Sequence, residues 1–287
     1  MVHGSLLRCT ANPNKLPLMS LESPDNNFAL PEPVIPVRPA RNPWTLYDLS
    51  LFVAFFIFAM LATAFAAFAG YAALRPIMGW RPSMLSMTRN TPFLLGIQLA
   101  FYILLFIYIY LLVVHRYGQK FSEGIKWRGL TRVQMVKYVA LGVVITVVVQ
   151  IFPTFLPDKT SFPLERMFAS PESAYALAAF AVLVGPFMEE LIFRGVLFSI
   201  FEKRAGVRFA IVSTAVLFGA MHIPEYRGAW DHIFLIFLVG LVLSLTRGLT
   251  DSLTPSVVLH VTYNACLMTA AFFATHHFRV MPSLLLR

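Results

Sequence analysis

The sequence predicts an all-α fold: a polytopic bundle of about seven transmembrane helices, with six to eight as the range, preceded by a disordered Pro-rich tail. Three observations predict it. Of 287 residues, 58% are hydrophobic and only 13% charged, with 27 Phe and a mean hydropathy of +0.70, whereas soluble domains carry roughly 25% charged residues and under about 50% apolar ones. The apolar residues fall in continuous runs instead of alternating every second position, which favours helices over a barrel. Short polar connections separate the runs.

Taken in order, residues 1–45 form the tail, with Pro13, Pro17, Pro24, Pro31, Pro33, Pro36, Pro39 and Pro43 among Asn, Ser and mixed charges. Such a segment buries too little apolar surface to offset its ordering entropy. Met1 to Thr10 lacks a long apolar stretch with a small-residue cleavage site, so no signal peptide is expected. Residues 46–287 form the transmembrane domain. A crossing takes roughly 20 apolar residues, and seven runs are candidates: 46–74, 93–114, 133–152, 174–200, 209–223, 233–246 and 253–274. The fifth and sixth are short, so each is expected to be tilted, broken or buried within the bundle. Cys9 and Cys266 imply neither a disulfide framework nor a CxxC site.

The net charge of +9 comes from 23 Lys and Arg spread between apolar runs, not from a basic domain, which excludes a nucleic-acid partner and leaves the lipid bilayer as the surroundings. With seven spans, the tail shares a side with the second, fourth and sixth connections. That side holds Arg8, Lys15, Arg38, Arg41, Arg116, Lys120, Lys126, Arg128, Arg132, Lys203, Arg204, Arg208 and Arg247, against fewer opposite, led by Arg75, Arg81 and Arg89. A cytoplasmic amino terminus is expected.

An ionisable side chain at mid-bilayer costs at least a few kcal/mol, so each one is a functional candidate facing the bundle interior. The fourth run carries Glu189, Glu190 and Arg194 in GPFMEELIFRG, the fifth ends FGAMHIP with His222, and the seventh reads HVTYNA with His260 and Asn264. Glu190 and Arg194 are one turn apart with the acid N-terminal, the better order for a pair, whereas Glu189 lies about 100° round the helix and is spare. His260 and Asn264 are also one turn apart and can address one spot. Phe218 is placed to pack beneath the His222 imidazole. At roughly 1.5 Å per residue, these groups reach a common depth. Pro186 either kinks the fourth helix or restarts it, and both readings stay open.

A Glu–Arg pair by itself can equally serve to fix the register of a bundle. A spare carboxylate beside an imidazole, however, can hold and deprotonate a water, and a second His with an Asn can donate to the oxyanion formed on a peptide carbonyl. Alternatively, Glu189, His222 and His260 are three ligands for Zn²⁺, which would itself activate water. No HExxH zincin motif and no GxSxG elbow is present.

The segments EELIFR at 189–194, FGAMH at 218–222 and HVTYN at 260–264 resemble the EExxxR, FxxxH and HxxxN/D motifs of the CPBP family. That family contains the type II CAAX prenyl endopeptidases and bacteriocin-processing or immunity proteins. The resemblance implies a catalytic core at about 174–275, with Glu189 as the base that activates water together with His222. It further implies that His260 and Asn264 stabilise the oxyanion and that Glu190 and Arg194 form a supporting pair. The family has been described both as metalloproteases and as glutamate-type intramembrane proteases. The preferred reading needs no cofactor; the alternative uses a divalent metal such as Zn²⁺. The expected function is hydrolysis of membrane-anchored peptide or protein substrates, including prenylated CAAX-type ones. The competing expectation is a proton-coupled transporter or an immunity-type binding protein using the same buried groups.

Overall fold

The structure, a computed structural model, describes residues 44–152, 170–226 and 228–279. The chain divides into two units, Met1–Pro39 and Ala40–Arg287. The predicted Pro-rich tail lies outside the described residues up to position 43.

The described residues are helical, with no strand among them. Helix α1, Leu46–Met78, starts where Thr45 accepts the Asp48 amide while the Asp48 carboxylate accepts the Thr45 amide at 2.7 Å, and it stops at Gly79 in the left-handed region. After a short turn, α2 (Met84–Met87), α3 spans Thr91–Leu111, capped by the Asn90 side chain and carrying a Pro in its first turn. It continues through a wider, π-type turn at Leu112–Arg116. A four-residue helix, α4 (Phe121–Gly124), precedes α5, Arg132–Ile151, which opens with a reciprocal Thr131–Gln134 cap. Then follow α6 (Pro171–Leu183), α7 (Gly185–Glu190), a π-type stretch at Leu191–Leu197 and α8 (Phe198–Met221). The last two helices are α9 (Trp230–Thr250) and α10 (Thr254–Ala274).

Among the described residues, six helical segments are long and apolar enough to cross a membrane: Leu46–Met78, Thr91–Arg116, Arg132–Ile151, Pro171–Met221, Trp230–Thr250 and Thr254–Ala274. The fourth, 51 residues long, contains the fourth predicted run and all but the last two residues of the fifth. They part at Gly206, whose φ of 83° and ψ of 169° are open only to glycine and break the helical path. Six segments and seven apolar runs thus describe the same chain. The outer faces of α1 and α5 carry large exposed apolar side chains such as Phe58, Phe65, Val133 and Val136, as a surface solvated by lipid should.

Small residues let the helices approach. On α8 and α9 the contact is reciprocal: a Cβ at Gly219 would lie 3.0 Å from Phe237, and one at Gly240 would lie 2.9 Å from the Phe218 ring. Between α5 and α10, a Cβ at Gly142 would come within 2.9 Å of the Leu259 carbonyl, and Thr146 donates to the Tyr263 carbonyl at 3.3 Å. Apolar helices in lipid gain little from burial as such, so close backbone approach is what holds them.

A polar knot ties the end of α9 to the loop before α5. The Leu253 amide donates to the Lys126 carbonyl at 2.9 Å and the Arg128 amide to Thr254 Oγ1 at 3.1 Å. Asp251, itself left-handed at φ 46°, receives Lys126, Arg128 (2.9 Å) and Arg247 (3.2 Å). Arg247, grouped by sequence with the charges of a connection, is instead fully buried in α9, with Nε donating to the Arg194 carbonyl at 3.2 Å. The carboxylate at position 251 and the open carbonyl at 194 let the guanidinium turn inward.

Two outcomes are expected. Gly142→Leu overpacks the α5–α10 contact and destabilises the protein by about 1–3 kcal/mol, read as a lower thermal midpoint in detergent. Burial pushes the Asp251 carboxyl up, but Lys126 and then Arg247 outweigh it and hold the group below the usual aspartate range. Its stabilisation is therefore present above the ordinary aspartate value, roughly pH 4, and is lost as pH falls through the depressed folded value. Asp251→Asn lowers the midpoint at neutral pH and shrinks its fall on acidification.

Candidate active site

The sequence of α6 and α7 dictates a break. Pro186 has no amide hydrogen, so it suits the first turn of a new helix, and α6 ends at Leu183 with α7 beginning at Gly185. The restart is thus the reading that the fold adopts. Without a regular helix there, the Ala181 carbonyl accepts instead from the Asn264 side chain, Nδ2 to O at 2.8 Å. The π-type turns after Glu190 follow at once, and every residue from Leu191 to Leu197 is buried.

Glu190 and Arg194 form the predicted pair, Nη1 to Oε1 at 2.9 Å, with both side chains fully buried. Arg194 also donates to the Gly240 carbonyl at 2.8 Å and lies over the Phe218 ring at 4.6 Å. The same carboxylate oxygen meets His260 Nδ1 at 2.9 Å. A carboxylate paired with Arg has no proton to give, so Nδ1–H is the donor and the Nε2 lone pair is left facing the other way. Nε2 lies 3.7 Å from Glu189 Oε2, and the Glu189 side chain is 16% exposed. Glu189 is therefore the carboxylate with access to an incoming group.

His222 closes α8, and its Nδ1 lies 2.8 Å from the Phe218 carbonyl. A carbonyl only accepts, so Nδ1 carries the hydrogen and Nε2 is free to take one. The Phe218 ring lies 4.9 Å from the His222 ring and 5.7 Å from that of His260, packing against both imidazoles.

Glu189, His222, His260 and Asn264 all line one cavity of about 190 Å³. Glu190 and Arg194 lie behind its wall and brace it. The imidazole in contact with Glu189 is that of His260, which sequence spacing had associated with Asn264. Glu189, His222 and His260 do not converge on one coordination point, and among the described residues no group of three or more His, Cys, Asp or Glu could hold a metal ion.

Sequence reasoning missed other lining groups. Gln98 comes from α3, its Nε2 donating to the Tyr102 hydroxyl at 3.2 Å, while Glu225 and Tyr226 come from the turn after His222. Burial pushes the Glu225 carboxyl above its usual range; the His222 imidazole opposes this and the Glu189 charge adds to it. The signals were an amide inside an apolar run and an acid three residues past a span-ending His.

The apolar spans among the described residues make this an integral membrane protein, with Glu189, His222, His260 and Asn264 lining a cavity within it. Residues 171–266 match the model of the family described as type II CAAX prenyl endopeptidase Rce1-like. The match covers about a third of the chain and contains all three motif segments, so this part is similar to that family of proteases, in keeping with the CPBP resemblance. Comparisons with curated proteins and with solved structures found no match.

Breaking the buried pair costs about 3–5 kcal/mol, because it strands a charge. Arg194→Ala should therefore lose more thermal stability than Glu189→Ala, whose carboxylate already meets the cavity; paired melting curves in one detergent check the order.

Proposed function

We propose that the protein is an intramembrane endopeptidase that hydrolyses peptide bonds of membrane-associated substrates, CAAX-type prenylated chains among them, with a water activated by Glu189 and His222. The observation that carries the reading is the common cavity of Glu189, His222, His260 and Asn264, backed by a sealed Glu190–Arg194 pair. Glu189 and His222 Nε2 both have a lone pair to offer a water. One proton goes to this pair and the resulting hydroxide attacks the scissile carbonyl carbon.

The oxyanion then needs donors. His260 can donate from Nε2 only as an imidazolium, since Nδ1–H is committed to Glu190. The two carboxylates beside that ring offset the positive charge it then carries. A proton taken by Glu189 has a short path to Nε2, which makes His260 a cation as the oxyanion forms. Asn264 keeps one amide hydrogen after its bond to Ala181. Collapse of the intermediate breaks the C–N bond, and the held proton passes to the leaving amine. No step needs a metal ion. The distribution of Lys and Arg favours a cytoplasmic amino terminus.

Purified protein in liposomes with a quenched fluorescent, membrane-anchored peptide tests this. Glu189→Gln and His222→Ala should each lower kcat by at least about 10²-fold, with Asn264→Ala losing less. Full activity after chelation, with metal content measured below stoichiometric, is the expected companion result. Undiminished cleavage by both Glu189→Gln and His222→Ala overturns the proposal.

A further inference from the structure

A second cavity, of about 550 Å³, lies away from the catalytic residues, between α1 and the start of α3. Its floor is a strip of small side chains on α1, Ala66, Ala67 and Gly70, and its walls include Leu74, Met87 and Phe93. From Ala66 to Leu74 the strip runs about 12 Å along the helix axis. The open end is framed by aromatic groups. Tyr71 stacks on Trp80 at 5.5 Å, and its hydroxyl donates to the Pro82 carbonyl at 2.8 Å. Tyr and Trp in this arrangement are characteristic of the membrane–water interface.

Positive charge surrounds that end. Arg75, Arg81 and Arg89 are each adjacent in the chain to a residue lining the groove, namely Leu74, Trp80 with Pro82, and Asn90. No Asp or Glu occurs between Asp48 and Glu123. Among the described residues neither Arg81 nor Arg89 has an ion pair, and both are exposed. Arg75 Nε donates to the Trp80 carbonyl at 3.3 Å, which leaves its two terminal nitrogens for another acceptor. The amino end of α3 adds its own partial positive charge on the same side.

An apolar slot in the hydrocarbon zone that opens between interfacial aromatics onto three unneutralised guanidinium groups has the chemistry of one amphiphile. We propose that this groove binds an anionic phospholipid of the bilayer, one acyl chain lying along Ala66 to Leu74 and the phosphate held by Arg75, Arg81 and Arg89. The site accounts for why this connection carries arginines although it faces away from the basic connections of the chain. It is separate from the proposed catalytic cavity, and its test does not read proteolysis.

The full-length protein is reconstituted in nanodiscs of equal phosphatidylglycerol and phosphatidylcholine, released gently, and its retained lipid is read by native mass spectrometry. Wild type is expected to keep one phosphatidylglycerol in preference to phosphatidylcholine. Each of Arg81→Gln and Arg89→Gln should lower that retention about fivefold, as removal of one interfacial cation implies. Gly70→Leu should abolish it by filling the slot, and because a Cβ at Gly70 meets nothing within 4 Å, the thermal midpoint should stay near that of wild type. Should Gly70→Leu misfold, the two arginine variants alone decide the matter. Equal retention of the two lipids by wild type, or wild-type retention in Arg81→Gln/Arg89→Gln, overturns the proposal.

Discussion

The buried contact of Glu190 with Arg194 and His260 is the constraint on which the rest of the site depends. A carboxylate with no exposed surface is tenable only if its charge is matched, and Arg194 matches it from one turn along the same helix. That match leaves the carboxylate without a proton, which in turn decides that His260 donates from Nδ1. From there Nε2 is aimed at Glu189. One ion pair thus sets the tautomer of an imidazole on another helix and the environment of the carboxylate beside it. The guanidinium also reaches Gly240 on α9, so the pair fastens three helical segments together.

The backbone around that pair is irregular in a purposeful way. Non-helical backbone within a membrane is tolerated where it is buried or lines a cavity. The break at Val184 and the π-type turns from Leu191 to Leu197 meet that condition, since the break borders the cavity and the turns are buried. Asn264 satisfies a carbonyl that the break would otherwise strand. The same side chain that the motif marks for chemistry therefore also ties α10 to the end of α6. Across the bundle, glycine at 142, 219 and 240 lets neighbouring helices come close enough for such contacts to form.

The motif residues were legible in the sequence because charge is scarce inside apolar runs, so Glu189, Glu190, Arg194, His222 and His260 stood out individually. Their partners were less so. Glu190 with Arg194 and His222 with Phe218 are four residues apart, and helix periodicity places such neighbours together. Gln98, Tyr102 and Glu225 carried no comparable signal, because an amide or phenol in a span is common and an acid beyond a span end is ordinarily solvated. Only the crossing of α3 over α6, where Tyr102 stacks on Phe180 at 5.9 Å, brings Gln98 to the cavity wall.

The sequence by itself determined that the chain is helical and lives in a bilayer, where the apolar runs lie, and which side chains cannot be buried without a partner. These are properties of composition and of a 3.6-residue period, both readable along one dimension. Tertiary structure alone decided that His260 bonds Glu190 across 70 residues, that Asn264 serves the Ala181 carbonyl beside the break, and that Arg247 turns inward while Asp251 gathers three cations. Those outcomes depend on how closely helices pack and which carbonyls the packing leaves open, quantities that no periodicity encodes.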